Sequence, residues 1–169
     1  MHPFAVLAKK AVETYINEGK IISLPSDLSK EFLEKKAGAF VTLEKNGKLR
    51  GCIGTYLPTR NNVAEEIIYN AISAATEDYR FDTVQADELP QLSYTVYILN
   101  EPGLISDIKE LNPKKFGIIV RSGRKCGLLL PDLEGVDTVE EQISICCQKG
   151  GIDPKEKISI YKFTVEKYQ

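Results

Sequence analysis

The 169-residue chain contains no tryptophan, one methionine and a single histidine, His2. Histidine is the usual base of Cys–His and Ser–His nucleophiles, and it is a common zinc ligand. Cys-x-x-Cys pairs are absent as well, since the four cysteines are Cys52, Cys126, Cys146 and Cys147. The sequence therefore predicts no histidine-assisted nucleophile and no zinc site, and we expect neither a metal ion nor a cofactor.

Long apolar runs and an excess of positive charge are also missing. The apolar runs extend over only a few residues, which is too short for a membrane span, and the first residues lack a signal-peptide pattern. The formal net charge of −2 argues against broad binding to nucleic acid or to anionic membranes. We expect a cytoplasmic protein whose cysteines are thiols rather than disulfides. The oligomeric state stays open.

The pattern of apolar residues predicts an α+β fold. Helical periodicity or capping signals predict helices over 4–18, about 26–35, 63–76 and 138–149. Alternating or apolar runs predict strands over 38–44, 48–55, 92–99, 116–120, 126–130 and 158–165. Because the strands cluster in hairpins between helices, we expect a largely antiparallel sheet flanked by helices. The length fits a single domain with two intimately joined lobes, with a seam near 100–115.

Asn46-Gly47 gives the strongest local signal, a two-residue hairpin turn of type I′. Such a turn pairs Lys45 with Lys48, and continuing this register places Cys52 opposite Val41. Arg50, Cys52 and Gly54 would then share one face of the return strand, which is otherwise apolar.

Cys52 has two interpretations. As a nucleophile or redox-sensitive thiol, it would be activated by Arg50, because a nearby cation favours the thiolate. Gly51 and Gly54 would then leave room for a ligand against the backbone. Alternatively, Cys52 packs as a small apolar residue against Val41, and the glycines accommodate a closely packed helix.

Arg50 also has two interpretations, because a buried arginine needs a carboxylate or an anionic ligand. Asp78, in the turn after the 63–76 helix, is the candidate partner for a structural ion pair. In the alternative, Arg50 and Arg80 together clamp a substrate carboxylate or phosphate.

Six segments of this chain match a known family in the same order. They are 38–43 (GAFVTL), 49–55 (LRGCIGT), 70–75 (NAISAA), 78–81 (DYRF), 128–131 (LLLP) and 147–151 (CQKGG). On these segments the chain resembles the AMMECR domain family, also called AmmeMemoRadiSam system protein A. One departure is Tyr79, where the family usually has proline. The resemblance implies a two-lobed α+β fold and an association with a Memo-type, dioxygenase-like protein and a radical S-adenosylmethionine protein.

Two functional hypotheses follow. In the first, the protein is a small-molecule-binding or thiol-dependent enzyme component that works with those two partners. Its site lies at the Leu49–Thr55 hairpin, with Cys52 as the candidate nucleophile. The candidate ligand-binding residues are Arg50, Gly51, Gly54, Thr55, Asp78 and Arg80. In the second, the hairpin and the 78–81 turn form a non-catalytic accessory or scaffold module that docks the partners.

Overall fold

The computed structural model describes all residues from 1 to 169. The chain divides into two compact units: unit 1 contains Met1–Leu99 and Glu166–Gln169, and unit 2 contains Asn100–Val165. None of the helices combines the length and the apolar character needed to cross a bilayer. No group of three or more histidine, cysteine, aspartate or glutamate side chains is arranged to hold a metal ion.

Unit 1 is a four-stranded sheet in the order β2-β1-β3-β8, with two long helices packed against it. Its elements are α1 (Pro3–Glu18), α2 (Lys30–Glu34), β1 (Ala39–Lys45), β2 (Lys48–Thr55), α3 (Val63–Thr76), β3 (Leu92–Leu99) and β8 (Val165–Tyr168). The core lies between the sheet and α1 and α3, and it includes Val12, Val41, Leu43, Ile67 and Ile98. Strand β2 is therefore an edge strand.

Unit 2 is a second four-stranded sheet, in the order β4-β7-β5-β6. Its elements are β4 (Gly103–Leu104), β5 (Gly117–Ser122), β6 (Lys125–Leu129), α4 (Val139–Gly150) and β7 (Ser159–Phe163). The core includes Ile118, Val120, Cys146 and Ile152. The pairings β1–β2, β1–β3, β4–β7, β5–β6 and β5–β7 are all antiparallel. The α+β class with antiparallel strands and flanking helices is confirmed.

Two predicted elements differ most from the structure in their bounds. The strand expected over 158–165 is instead β7 and β8, which are separated at Thr164. There the carbonyl of Thr164 accepts from the Asn100 amide at 3.0 Å, and its hydroxyl accepts from Asn100 Nδ2 at 2.7 Å. These bonds interrupt the strand where the chain leaves unit 2. The short helix expected from about residue 26 begins later, at Lys30, with Ser29 as its N-cap.

The turn of the β1–β2 hairpin is the one that the sequence predicts. Asn46 and Gly47 both have positive φ angles, 53° and 76°, as a type I′ turn requires. Lys45 pairs with Lys48. The local turn chemistry therefore determines this connection.

Beyond the turn, the predicted register is wrong by one residue. Glu44 pairs with Leu49, whereas the preceding Leu43 pairs with Gly51. Arg50 is the extra residue of a β-bulge, so two residues of β2 occupy the space of one in β1.

The bulge changes the surroundings of Cys52. It pairs with Thr42 and not with Val41, which lies opposite Ile53. Val41 is fully buried, whereas Cys52 is partly exposed. The expectation that Cys52 packs against Val41 is therefore wrong, because the extra residue moves Cys52 to the other face of the hairpin.

The same local arrangement of hairpin and helix occurs in both units. In unit 1, Gly51 of β2 lies against the backbone of Ala74 in α3. A Cβ atom on Gly51 would overlap the Ala74 carbonyl. In unit 2, Gly127 of β6 lies in the same way against the carbonyl of Cys146 in α4. Each glycine therefore lets a helix approach the second strand of a hairpin closely.

A side-chain amide binds each helix to the backbone at, or one residue before, the start of the first strand of its hairpin. Asn70 Nδ2 donates to the Ala39 carbonyl at 2.9 Å, and Gln142 Nε2 donates to the Phe116 carbonyl at 2.9 Å. Each amide lies one helical turn before the residue of closest approach. The two units thus repeat one structural motif, and the bulge residue Arg50 has no counterpart in unit 2.

Candidate functional site

Cys52 lies in the middle of the edge strand β2 and is partly exposed. Across the hairpin, Thr42 donates its hydroxyl to Cys52 Sγ at 3.2 Å. A hydrogen bond donated to sulfur stabilises the thiolate more than the thiol. The pairing of these two residues, which the bulge creates, therefore places a hydroxyl donor on the cysteine sulfur.

The Asp78 side chain lies against the outer edge of β2 beside Cys52. Its Oδ2 accepts from the Cys52 backbone amide at 2.9 Å and from Arg80 Nη2 at 2.8 Å. Its Oδ1 accepts from the Arg80 amide at 3.1 Å and from Arg80 Nε at 3.0 Å. One buried carboxylate therefore satisfies an edge-strand amide and fixes the arginine next to it.

These hydrogen bonds also change the acidity of Asp78. The bond from the Arg80 side chain is the largest cause, and the backbone donors add to it, so the pKa of Asp78 falls from 3.8 to about 2. The same pairing raises the pKa of Arg80, and the charge of Cys52 contributes in the same direction. Arg80 and Cys52 are therefore electrostatic neighbours.

Arg50 pairs with Glu88, which lies in the 3₁₀ segment Ala86–Gln91. Arg50 Nε and Nη2 donate to the two carboxylate oxygens of Glu88 at 3.0 and 2.9 Å. Lys45 Nζ is a further donor to Glu88 at 3.0 Å. The predicted pairing of Arg50 with Asp78 is therefore wrong, because the bulge directs Arg50 to Glu88 while Asp78 binds Arg80.

The ring of Phe81 lies close to both arginines. The guanidinium carbon is 5.9 Å from the ring centroid for Arg50 and 5.5 Å for Arg80. Both distances are in the range of cation–π contacts. The 78–81 turn thus brings the two ion pairs of the site to one aromatic side chain.

The remaining predicted site residues serve packing and internal hydrogen bonding. Gly51 is covered by the backbone of Ala74, and a Cβ on Gly54 would overlap the Phe40 ring. The expectation that these glycines leave room for a ligand is therefore wrong, since both positions are filled by the protein itself. The hydroxyl of Thr55 donates to Glu66 at 2.5 Å and accepts from Asn70 at 3.2 Å.

Sequence reasoning missed Thr42, Glu88 and Glu66. The buried carboxylate of Glu66 also accepts from both backbone amides of Thr59 and Arg60 at 2.9 Å, which anchors the loop before α3. Glu88 had one signal, a capping box in which its side chain accepts from the Gln85 amide at 2.9 Å. That signal indicates a helix start and says nothing about Arg50.

The repeated motif of unit 2 provides an internal comparison for Cys52. If Gly51 is matched with Gly127, Thr42 corresponds to Ile119 and Cys52 corresponds to Leu128. Ile119 and Leu128 pair across their hairpin, as Thr42 and Cys52 do in unit 1. An aliphatic pair therefore satisfies the packing of this motif. The hydroxyl–thiol pair in unit 1 is therefore not required by the packing of the motif.

We expect the two carboxylates of the site to make unit 1 acid-sensitive. Glu88, like Asp78, has a lowered pKa, from 4.5 to about 2, and its hydrogen bond from Arg50 is the largest cause. A depressed folded-state pKa contributes stability above the unfolded-state value, and this contribution is lost as the pH falls towards the folded-state value. We expect a loss of about 2 kcal/mol for each carboxylate between pH 5 and pH 2.

Urea unfolding of the wild type and of Glu88→Gln at pH 7, 4 and 2.5 measures this contribution. The variant should start less stable at pH 7 and lose less stability on acidification. Equal losses in both proteins would contradict the assignment.

Comparison with known proteins identifies the family of this chain. The AMMECR1 family model matches residues 5–168. A protein of Thermotoga maritima is 51% identical over 170 residues, covering 99% of this chain and 98% of the relative. The Clostridium acetobutylicum protein CA_C1420 is 46% identical over 168 residues, but this chain spans only 36% of its length.

A solved structure also matches. The crystal structure of the uncharacterized protein PH0010 from Pyrococcus horikoshii superposes with a TM-score of 0.90 at 35% sequence identity. The match covers 97% of this chain and 88% of the other. With a family match over nearly its whole length and relatives of closely similar sequence and fold, this chain belongs to the AMMECR1 family.

Proposed function

We propose that this protein is a small-molecule-binding, thiol-dependent component that uses Cys52 as its reactive group. The proposal rests on one observation: the Thr42 hydroxyl donates to Cys52 Sγ on a partly exposed edge strand. A thiolate is the nucleophilic form of cysteine, and a fixed donor on the sulfur favours it. The Memo-type and radical S-adenosylmethionine proteins implied by the family resemblance are the proposed partners, in a cytoplasmic setting.

The surroundings of Cys52 support a thiolate without histidine. Asp78 fixes the Cys52 backbone amide, and the same Asp78 oxygen accepts from Arg80 Nη2. The positive charge of Arg80 therefore lies next to the cysteine, where it stabilises negative charge on sulfur. Thr42 thus supplies a hydrogen bond to the sulfur and Arg80 a nearby positive charge, while the thiol proton passes to solvent because neither side chain is a base.

The pH dependence of Cys52 alkylation tests this proposal. Native protein is treated with iodoacetamide across pH 5–10, and each cysteine is quantified by mass spectrometry. We expect the midpoint for Cys52 to lie at least about one pH unit below the ordinary thiol value of about 8.5. Thr42→Val, which keeps the shape but removes the donor, should raise that midpoint.

The other cysteines serve as internal controls. Cys146 is fully buried, and burial raises its pKa to about 12, so it should label only on unfolding. Cys126 is partly exposed like Cys52 but has no threonine opposite, because it pairs with Arg121. A Cys52 midpoint at or above the ordinary value, unchanged in Thr42→Val, would contradict the proposal.

A docking role is the second candidate, and one observation favours it. Tyr79 is 97% exposed, although Asp78 and Arg80 on either side are held by hydrogen bonds. A large aromatic side chain presented on a fixed turn is typical of a protein–protein contact. If Cys52 resists alkylation until the protein unfolds, this second role replaces the first.

A further inference from the structure

The Asp78–Arg80 pair differs from an ordinary surface salt bridge in how its members are exposed. The Asp78 side chain is 4% exposed, whereas that of Arg80 is 45% exposed. The negative charge is therefore held inside the protein, and the positive charge faces the solvent. Because Asp78 Oδ2 accepts from both the Cys52 amide and Arg80 Nη2, this exposed cation lies beside the cysteine.

Arg80 keeps unused hydrogen-bond donors. A guanidinium has five N–H groups, and the structure uses one on Nε and one on Nη2 for Asp78. The rest are available to an external acceptor. The bidentate bond to Asp78 also fixes the plane of the group, so little further ordering is needed when a ligand binds.

Arg50 does not have these properties. Its side chain and that of its partner Glu88 are almost equally covered, 14% and 13% exposed, and Lys45 shares the same carboxylate. Arg50 therefore forms an internal ion pair with Glu88, which stabilises the bulge. Of the two arginines expected to clamp an anion, only Arg80 has an exposed guanidinium that can bind one.

From this arrangement we propose that the ligand of the Cys52 site carries an anionic oxygen group, a carboxylate or a phosphate, which Arg80 binds. The inference rests on the proposed function of Cys52 and names its ligand class. Planar, fixed guanidinium donors match carboxylate and phosphate oxygens by paired hydrogen bonds. Asp78 is the positioning residue, because it acts on the ligand only through Arg80.

Two alkylating reagents that differ in charge test this inference. Iodoacetate carries a carboxylate, iodoacetamide is neutral, and both attack the same thiolate with loss of iodide. The ratio of their rate constants at one site therefore does not depend on the thiolate fraction. We expect the iodoacetate-to-iodoacetamide ratio at Cys52 to be at least about fivefold higher in native protein than in the urea-unfolded chain.

Variants at position 80 and an anion competitor sharpen the test. Arg80→Gln should return the ratio to its unfolded value, whereas Arg80→Lys should retain part of the effect because it keeps only the charge. Inorganic phosphate should slow both reagents at Cys52 more than sodium chloride at equal ionic strength. Cys126, which follows Arg124 and Lys125, shows how much positive charge alone contributes.

The outcomes separate this inference from the proposed function. Fast iodoacetamide labelling of Cys52 with an unchanged ratio would keep the reactive thiol and overturn the anionic ligand. Slow labelling by both reagents would overturn the proposed function itself. A ratio raised equally at Cys52 and Cys126 would assign the effect to general charge and would also overturn the role of Arg80.

Discussion

Asp78→Asn should lower the free energy of unfolding by about 2 to 3 kcal/mol, because it removes a buried acceptor of charged hydrogen bonds. The asparagine side chain keeps one acceptor oxygen, but its NH₂ group would face an N–H donor, either from Arg80 or from the Cys52 backbone. One edge-strand amide or the guanidinium thus loses its partner. The exposure of Arg80 keeps the loss below that of a fully buried pair, because water can solvate the released cation.

A surface aspartate provides the matched control for this variant. Asp137 pairs with Lys114 at 2.9 Å, a distance close to that of Asp78 to Arg80, but its side chain is 71% exposed. Asp137→Asn should change stability by less than about 1 kcal/mol. Urea unfolding of both variants at pH 7 measures the difference. If Asp78→Asn were as stable as the control, the buried carboxylate would not hold the 78–81 turn against β2.

Gly51→Ala should destabilise unit 1 by about 3 kcal/mol or more, since its Cβ would occupy the position of a backbone carbonyl in α3. No rotamer change relieves that overlap, because the Ala74 carbonyl belongs to the helix itself. Helix α3 must therefore move away from β2. The turn after α3 moves with it, so we also expect altered alkylation of Cys52.

Alanine substitutions at two other glycines serve as controls for Gly51→Ala. Gly127→Ala meets the equivalent carbonyl in unit 2 and should be about as destabilising as Gly51→Ala. Gly103→Ala has no atom within 4 Å of its new Cβ and should be nearly neutral. Thermal unfolding of the three variants compares them directly. A Gly51→Ala protein that matches Gly103→Ala would show that the helix and strand are not in close contact.

The contrast between the turn and the bulge shows how far local sequence determines this hairpin. Asn46 and Gly47 adopt positive φ angles for reasons contained in their own chemistry, so the turn could be predicted. The bulge at Arg50 is accompanied by an ion pair with Glu88, which lies far along the chain. No periodicity signals that contact, so a register continued from the turn alone misses the extra residue in β2.

The partners of the site could not be predicted for the same reason. The sequence shows Asp78 and Arg80 as charged residues of one turn, but the bond from the Cys52 amide to Asp78 depends on where α3 ends relative to β2. Thr42 looked like an ordinary strand residue, and only the shifted register places it opposite Cys52. The repeated motif in unit 2 was also hidden, because Asn70 and Gln142 perform one role with different side chains.

The folded environment should make Cys52 more reactive than it is in the unfolded chain. The most direct measurement is the iodoacetamide rate constant of Cys52 at pH 7 in native protein, divided by that of the same residue in urea. We predict a ratio above one for Cys52 and far below one for the buried Cys146. A Cys52 ratio as low as that of Cys146 would show that the thiol is part of the core and would contradict a reactive role for Cys52.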